Sequence, residues 1–350
     1  MKASYKKHIL HFKRPSGTSR GILKQKETWY ITIQVNNKIG IGECGLLKGL
    51  SYDDIPDYEQ KIRWTCDNIH LGEEELWIAL KDYPSIQFGV EQAFLSLKFS
   101  DRFKLFPSRF TENENTIPIN GLVWMGDFDF MQSQIQQKLD EGFKCIKLKI
   151  GAIDFNQEIK LLESLRKKYA KEILEIRVDA NGAFSPEDSL EKLLVLASFN
   201  LHSIEQPIKQ GQYVKMQELC AKTPLPIALD EELIGITETS KKEEMIRAIR
   251  PQYIILKPSL IGGIRGSEEW ISLADKYNIG WWVTSALESN IGLNAIAQWT
   301  YSLGNKMPQG LGTGALYTNN IESPLTVENG HIFYSQTKKW NTKKIKEVCI

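Results

Sequence analysis

Histidine is scarce in this chain: there are five, and none falls at a spacing that would ligate a metal. The five cysteines (Cys44, Cys66, Cys145, Cys220 and Cys349) are scattered, odd in number and without a C-x-x-C pair. That argues against a disulfide frame or a thiolate zinc site and for reduced thiols in a cytoplasmic protein. An excess of one charge is also missing. With 44 basic and 43 acidic side chains the formal net charge is +1, which gives no electrostatic case for nucleic acid or a membrane surface. No segment approaches the apolar length of a membrane span, and the first residues lack the apolar core of a secretion signal. The run Gly310-Leu311-Gly312-Thr313-Gly314 lacks the strand-to-helix context and downstream acid of a nucleotide loop.

What is present is a rhythm. Asp179, Glu205 and Asp230 each end a short apolar run, 26 and then 25 residues apart. Lys147 and Lys149 end a similar run upstream, and Lys257 ends another downstream. Strand-like runs fall at about 117–123, 143–150, 174–179, 201–205, 226–230, 253–257 and 281–285, with an eighth short run near 309–313. Helical stretches such as 130–141, 155–170 and 186–198 lie between them. One charge per βα-length interval, repeated over five intervals, is how a parallel barrel gathers chemical groups at one face. The fold class is therefore α/β, a modified TIM barrel of (β/α)7β type.

At 350 residues the chain exceeds one ordinary core, and residues 1–115 do not share the rhythm. Trp29 to Val35 alternates like a strand, Asn36-Asn37-Lys38 turns it, and Ile39 to Glu43 returns. Helices are expected near 54–70 and 86–100, the second with Phe88, Gln92, Leu95 and Phe99 on one face. This is an α+β capping domain, followed by a barrel over 116–320 and a segment over 321–350 that returns to the cap.

Strand side chains alternate faces. In Phe143 to Ile150, the residues Ile146, Leu148 and Ile150 share the helix-facing side, so Lys147 and Lys149 point into the barrel. The same parity turns Glu175, Arg177 and Asp179 inward, and also Lys257. Buried charge is costly unless it is paired or holds a metal. Three carboxylates without a histidine or cysteine partner are hard oxygen ligands, suited to Mg²⁺ with Mn²⁺ as a substitute. Two ammonium groups on one strand face repel, which favours a neutral amine on one of them. A neutral lysine beside a metal-held carboxylate can remove the proton α to it.

These residues, in this order, resemble the enolase superfamily, in its muconate-lactonising-enzyme-like branch. The resemblance rests on Ile146-Lys147-Leu148-Lys149-Ile150-Gly151, Val178-Asp179-Ala180-Asn181-Gly182, Ile204-Glu205-Gln206-Pro207, Ala228-Leu229-Asp230-Glu231 and Leu256-Lys257-Pro258. Ser285-Ala286-Leu287-Glu288-Ser289 and the glycine-rich run at 310–314 narrow it to members that eliminate water from a cyclohexadiene carboxylate. The resemblance implies syn dehydration of 2-succinyl-6-hydroxy-2,4-cyclohexadiene-1-carboxylate to 2-succinylbenzoate, a step towards menaquinone. It makes Asp179, Glu205 and Asp230 the Mg²⁺ ligands, Lys149 the base, Lys257 the opposing cation and Lys147 the neighbour that tunes Lys149. It also implies a mobile substrate loop in the cap, for which the candidate is Arg14 to Gly21, with Arg14, Thr18, Ser19 and Arg20 as contacts. Asn181, Ser285, Gly312 and Thr313 would complete the pocket, with Ser285 and Thr313 as hydrogen-bond donors. Trp281 and Trp282 are candidates to wall it.

Competing chemistries are racemisation of N-acylamino acids or epimerisation of dipeptides, which use both Lys149 and Lys257 as bases. Dipeptide epimerases of this branch usually carry an Asp-x-Asp on strand eight, which is absent here. A Schiff-base aldolase would not require three strand-end acids. A non-catalytic barrel would be expected to have lost part of the set.

Overall fold

A computed structural model describes residues 1–18, 21–151 and 153–350, without the side chains of residues 16–18. The chain begins with a three-stranded antiparallel sheet of β1 (Lys2–Thr18), β2 (Gly21–Val35) and β3 (Lys38–Cys44) in that order. Patterning anticipates β2 and β3 but not β1. That strand lies at the edge, carries several lysines and histidines, and among its described side chains buries only Leu10 and Phe12, so it lacks a clean alternation. Of the run 14–21 read as a loop, residues 14–18 belong to β1, and Ser16 to Thr18 pair with the start of β2 beyond a register shift between His11 and Ser16.

Helices α1 (Tyr58–Asp67), α2 (Gly72–Ala79) and α3 (Pro84–Lys98) cover one face of this sheet. Trp29, Ile31 and Ile33 pack there against Ile62, Ile86 and Val90. A Cβ on Gly42 would stand 1.9 Å from the carbonyl oxygen of Gly89, so glycine is what lets β3 lie directly on α3. Phe99, expected on the buried face of that helix, falls past its end and is exposed.

From β4 (Ile117–Pro118) onward the chain alternates: β5 (Gly121–Val123), α4 (Phe128–Asp140), β6 (Cys145–Lys149), α5 (Phe155–Lys168), β7 (Glu175–Asp179), α6 (Ser189–Ala197) and β8 (Ser203–Glu205). It continues with α7 (Tyr213–Lys222), β9 (Ile227–Leu229), α8 (Thr239–Ile249), β10 (Tyr253–Leu256), α9 (Pro258–Ile261), α10 (Gly263–Lys276), β11 (Gly280–Val283) and α11 (Asn290–Ser302). Strands β5 to β11 form one parallel sheet in sequence order. The eighth run bridges both of its edges, Gln309 to Ile119 and Gly310 to Thr284. Backbone bonds from Gly310 to Val283 (2.8 Å) and from Asn120 to Gln309 (2.9 Å) fasten that seam.

Two hairpin strands follow, β12 (Leu325–Glu328) and β13 (His331–Tyr334), of which β13 pairs with β4, and α12 (Thr342–Val348) returns to the first sheet. Ile345, Val348 and Cys349 join Tyr30, Ile41, Ile291 and Ile321 in a cluster on the face opposite α1–α3. Carboxylates of the cap also dock on the barrel. Glu43 accepts from the backbone N–H of Ser289 and of Gly292 (both 2.8 Å) at the start of α11. Glu91 accepts from Ile264 (2.6 Å) and Arg265 (3.1 Å) at the start of α10. Each satisfies helix N–H groups that have no partner within the helix. All five cysteines are buried and free, and among the described residues no helix is long and apolar enough to cross a membrane.

Candidate active site

Lys149 of β6, Asp179 of β7 and Glu205 of β8 are consecutive partners in the parallel ladder, so they end their strands at one level. Lys147 lies one inward position below Lys149, in register with Arg177. Asp230 follows the last residue of β9, and Lys257 follows the last residue of β10. Strand parity thus delivers all six side chains to the barrel interior, and Asp179, Glu205, Asp230 and Lys147 are buried.

The six form a continuous chain of opposite charges. Lys149 Nζ stands 2.6 Å from Asp179 Oδ2, and Lys147 Nζ stands 3.2 Å from that same oxygen and 2.7 Å from Glu205 Oε2. Lys257 is paired with Asp230 and lies 3.9 Å from Glu205 Oε1. Burial alone would push Asp179 up, but Lys149 and Lys147 hold it well below the usual carboxylate range. Glu205 goes the other way, up to about 8, because burial and the charge of Asp179 outweigh Lys147 and Lys257. Burial would lower Lys147 and Lys257, but the surrounding carboxylates raise both instead.

Backbone left-handed turns shape the strand ends. Asn181 (φ 45°) turns the chain after β7, which lets its side chain reach back over Lys149. Its Oδ1 accepts from Lys149 Nζ at 2.7 Å, and its Nδ2 donates to Glu231 Oε1 at 2.9 Å. Gln206 (φ 40°) does the equivalent after β8, accepting from the backbone N–H of Asp230 and of Glu232 (both 3.3 Å) and so tying β8 to β9.

Among the described residues, no three of His, Cys, Asp and Glu stand close enough together to hold a metal ion. The expected trio is instead drawn apart onto the three lysines. The donor set still suits a hard divalent cation: three carboxylates, with Glu205 Oε1 buried and accepting no hydrogen bond.

Above these groups opens a cavity of about 640 Å³, lined by Lys147, Lys149, Asn181, Lys257, Ser285, Gly312 and Thr313 from the barrel and Arg14 from the cap. Further positive charge comes from Lys13, Lys48 and Lys138, whereas Glu141 is the one acid among the described lining residues. Of the other loop contacts, Ser19 and Arg20 lie outside the described residues, and Thr18 is described in its backbone alone. Ser285 and Thr313 do not offer their hydroxyl hydrogens to the cavity. Thr313 donates to Ser285 at 2.8 Å and Ser285 to Glu288 at 2.6 Å. Trp281 and Trp282 do not line the cavity, although Trp124 does. Trp282 packs under Arg177, 4.2 Å from ring centroid to guanidinium, at the closed end of the barrel, and Trp281 turns outward to Asp275. Missed by sequence reasoning were Leu47 to Leu50 and Asn120, which also line the cavity. The signal was there: a glycine-flanked apolar loop, Gly45 to Leu50, directly after a hairpin.

Residues 131–338 match the family model "Enolase C-terminal domain-like". An o-succinylbenzoate synthase from Desulfotalea psychrophila is 46% identical over 94% of this chain and 98% of its own length. The chain belongs to the enolase superfamily. The crystal structure of MenC from the same bacterium superposes with a TM-score of 0.84 at 42% identity, covering 95% of this chain and 99% of that one. An N-succinylamino acid racemase from Amycolatopsis is more distant, 26% identical over 91% of this chain and 88% of its own length. The α/β fold with its capping sheet is that of the superfamily, whose enzymes are generally metal-dependent.

Proposed function

We propose that this chain is an o-succinylbenzoate synthase, a hydro-lyase that removes water from 2-succinyl-6-hydroxy-2,4-cyclohexadiene-1-carboxylate to give 2-succinylbenzoate. The carrying observation is Lys149, a cavity-lining amine level with Asp179 and Glu205, beneath a cavity whose described lining is almost wholly cationic in its charges. Such a lining suits a substrate with two carboxylates.

Lys149, as the neutral amine, takes the proton α to the ring carboxylate, and the electron pair passes into that carboxylate as an enediolate. The pair then returns, the C–O bond to the neighbouring hydroxyl breaks, and the Lys149 ammonium returns its proton to the leaving oxygen as water. One acid/base group on one face serves both steps, as a syn elimination requires. Lys257, bound to Asp230 across the cavity, places a fixed positive charge beside the transient dianion. Lys147 stays charged between Asp179 and Glu205 and keeps the two carboxylates apart. Asp179, Glu205 and Asp230 are the residues that would hold Mg²⁺, and the bound ion would supply charge stabilisation at the substrate carboxylate. Arg14 and the rest of 14–21 would cover the site from the cap and exclude water.

Racemisation of N-acylamino acids is the second reading, favoured by the fact that Lys149 and Lys257 both line the cavity. Assays of wild type and Lys149→Ala with the cyclohexadiene substrate and Mg²⁺ test the synthase. No turnover by wild type sinks it, and N-succinyl amino acids in deuterated water then test the racemase by α-deuterium uptake.

A further inference from the structure

One side of the cavity is backed by a chain of hydroxyls that runs in a single direction. It ends on Glu288, between β11 and α11, which is fully buried and does not itself line the cavity. Ser259 donates to one of its oxygens, Oε1, and Ser285 donates to the other, Oε2, at 2.6 Å. With a hydroxyl hydrogen aimed at each oxygen, Glu288 acts as the carboxylate, which accepts and gives nothing.

Ser285 is thereby saturated. A hydroxyl has one hydrogen to give and two lone pairs to receive with. Its hydrogen goes to Glu288, and its lone pairs receive Thr313 Oγ1–H at 2.8 Å and the backbone N–H of Leu287 at 3.1 Å. Thr313 has then spent its own hydrogen, while among the described residues no group donates to its oxygen. Because Thr313 lines the cavity, what it offers there is an acceptor. A ligand group set against it must bring a hydrogen, or two lone pairs are left face to face.

On the substrate proposed above, the ring hydroxyl is the one group with a hydrogen to donate; both carboxylates and the ketone only accept. Every polar group of the product is an acceptor. Thr313 follows the eighth run, which is separated from β6 and Lys149 by the strand of β5 alone. We infer that Thr313 is a specificity-determining residue, held as a hydrogen-bond acceptor by Glu288 through Ser285, and that it takes the hydrogen of the substrate's ring hydroxyl. The acceptor stands on the hydroxyl chain, and only the identity of its donor rests on the proposed function. Lys149 protonates the same oxygen on a lone pair, so the contact to Thr313 holds while the C–O bond breaks. The aromatic product loses that hydrogen with the departing water, and the site favours substrate over product.

The test compares KM for the cyclohexadiene substrate with Ki for 2-succinylbenzoate. Thr313→Val is expected to raise KM about tenfold, to lower kcat no more than about threefold and to leave Ki within about twofold of wild type. Thr313→Ser keeps the hydroxyl and is expected to restore KM. A rise in KM of less than about threefold, a Ki that rises as much as KM, or a Thr313→Ser variant as impaired as Thr313→Val overturns the contact. Ser285→Ala frees the Thr313 hydrogen for the cavity, where it meets the acceptors of the product, and Ki is expected to fall about threefold. A Ki that does not fall overturns the relay, and this comparison decides it even if Thr313→Val fails to fold. Wild type that does not turn over the cyclohexadiene substrate sinks the proposed function, and the acceptor is then read on N-succinyl amino acids. Their amide N–H is expected to make them bind better than the matching esters, and Thr313→Val to abolish that preference. A preference that survives in Thr313→Val overturns the acceptor.

Discussion

Lys149 reaches the cavity with its amine held by two oxygens, Asp179 Oδ2 and Asn181 Oδ1, so its direction is set before any substrate arrives. Removing it removes the acid/base group for both proton steps. Lys149→Ala is expected to lower kcat by about a thousandfold, read by steady-state kinetics, with the fold retained by circular dichroism. Asn181→Ala leaves the amine in place but frees its aim. A loss of about 10- to 100-fold in kcat with little change in melting temperature is expected, and an unaffected kcat would show that Asp179 alone suffices to orient it. The Asn181 carboxamide bonds Lys149 and Glu231 while lining the cavity.

At the scale of elements, β3 lies on α3 so closely that glycine is required in both. The Cβ of an alanine at Gly42 would overlap the Gly89 carbonyl, and one at Gly89 would stand 2.4 Å from Cys44 Sγ. Gly42→Ala is expected to cost about 2–3 kcal/mol, measured by urea unfolding with unchanged slope. Strands β6 to β10 were legible because each ends an apolar run with a charge, and parity alone turned Lys147, Lys149, Asp179 and Lys257 inward. Strand β1 was not, because it buries too few of its described side chains to set an alternation. The loop at 47–50 was only half legible: its glycines and apolar residues mark it after the hairpin, but a segment without periodicity gives no direction to its side chains. Nor could spacing show that Ser285 spends its hydrogen on Glu288 and Thr313 its own on Ser285, because that depends on a carboxylate beyond the end of β11.

Across the whole molecule, the cap is fastened to the barrel by buried acids, and this makes stability depend on pH. Burial raises Glu91 from the usual 4.5 to about 8, outweighing its two backbone hydrogen bonds. The folded protein therefore holds a proton there that the unfolded chain has released, so this contribution is full below about pH 4.5 and lost as pH rises through about 8. The melting temperature of wild type is expected to fall over that range more steeply than that of Glu91→Gln, and parallel curves would remove Glu91 as the cause. Mg²⁺, held as proposed by Asp179, Glu205 and Asp230, would couple to folding as well. At a hundredfold excess over its Kd it is expected to add roughly 3 kcal/mol to stability, reversed by EDTA and absent in Asp230→Asn.

The cluster that joins Tyr30 and Ile41 to Ile291, Ile321, Ile345 and Val348 has a consequence for biosynthesis. Part of the cover for that face of the cap sheet comes from Ile291 and Ile321 and part from α12, all synthesised long after β2 and β3. Glu43 likewise waits for Ser289. The face therefore stays partly bare while the barrel is being made, and truncating α12 is expected to leave it open to capture by chaperones during synthesis.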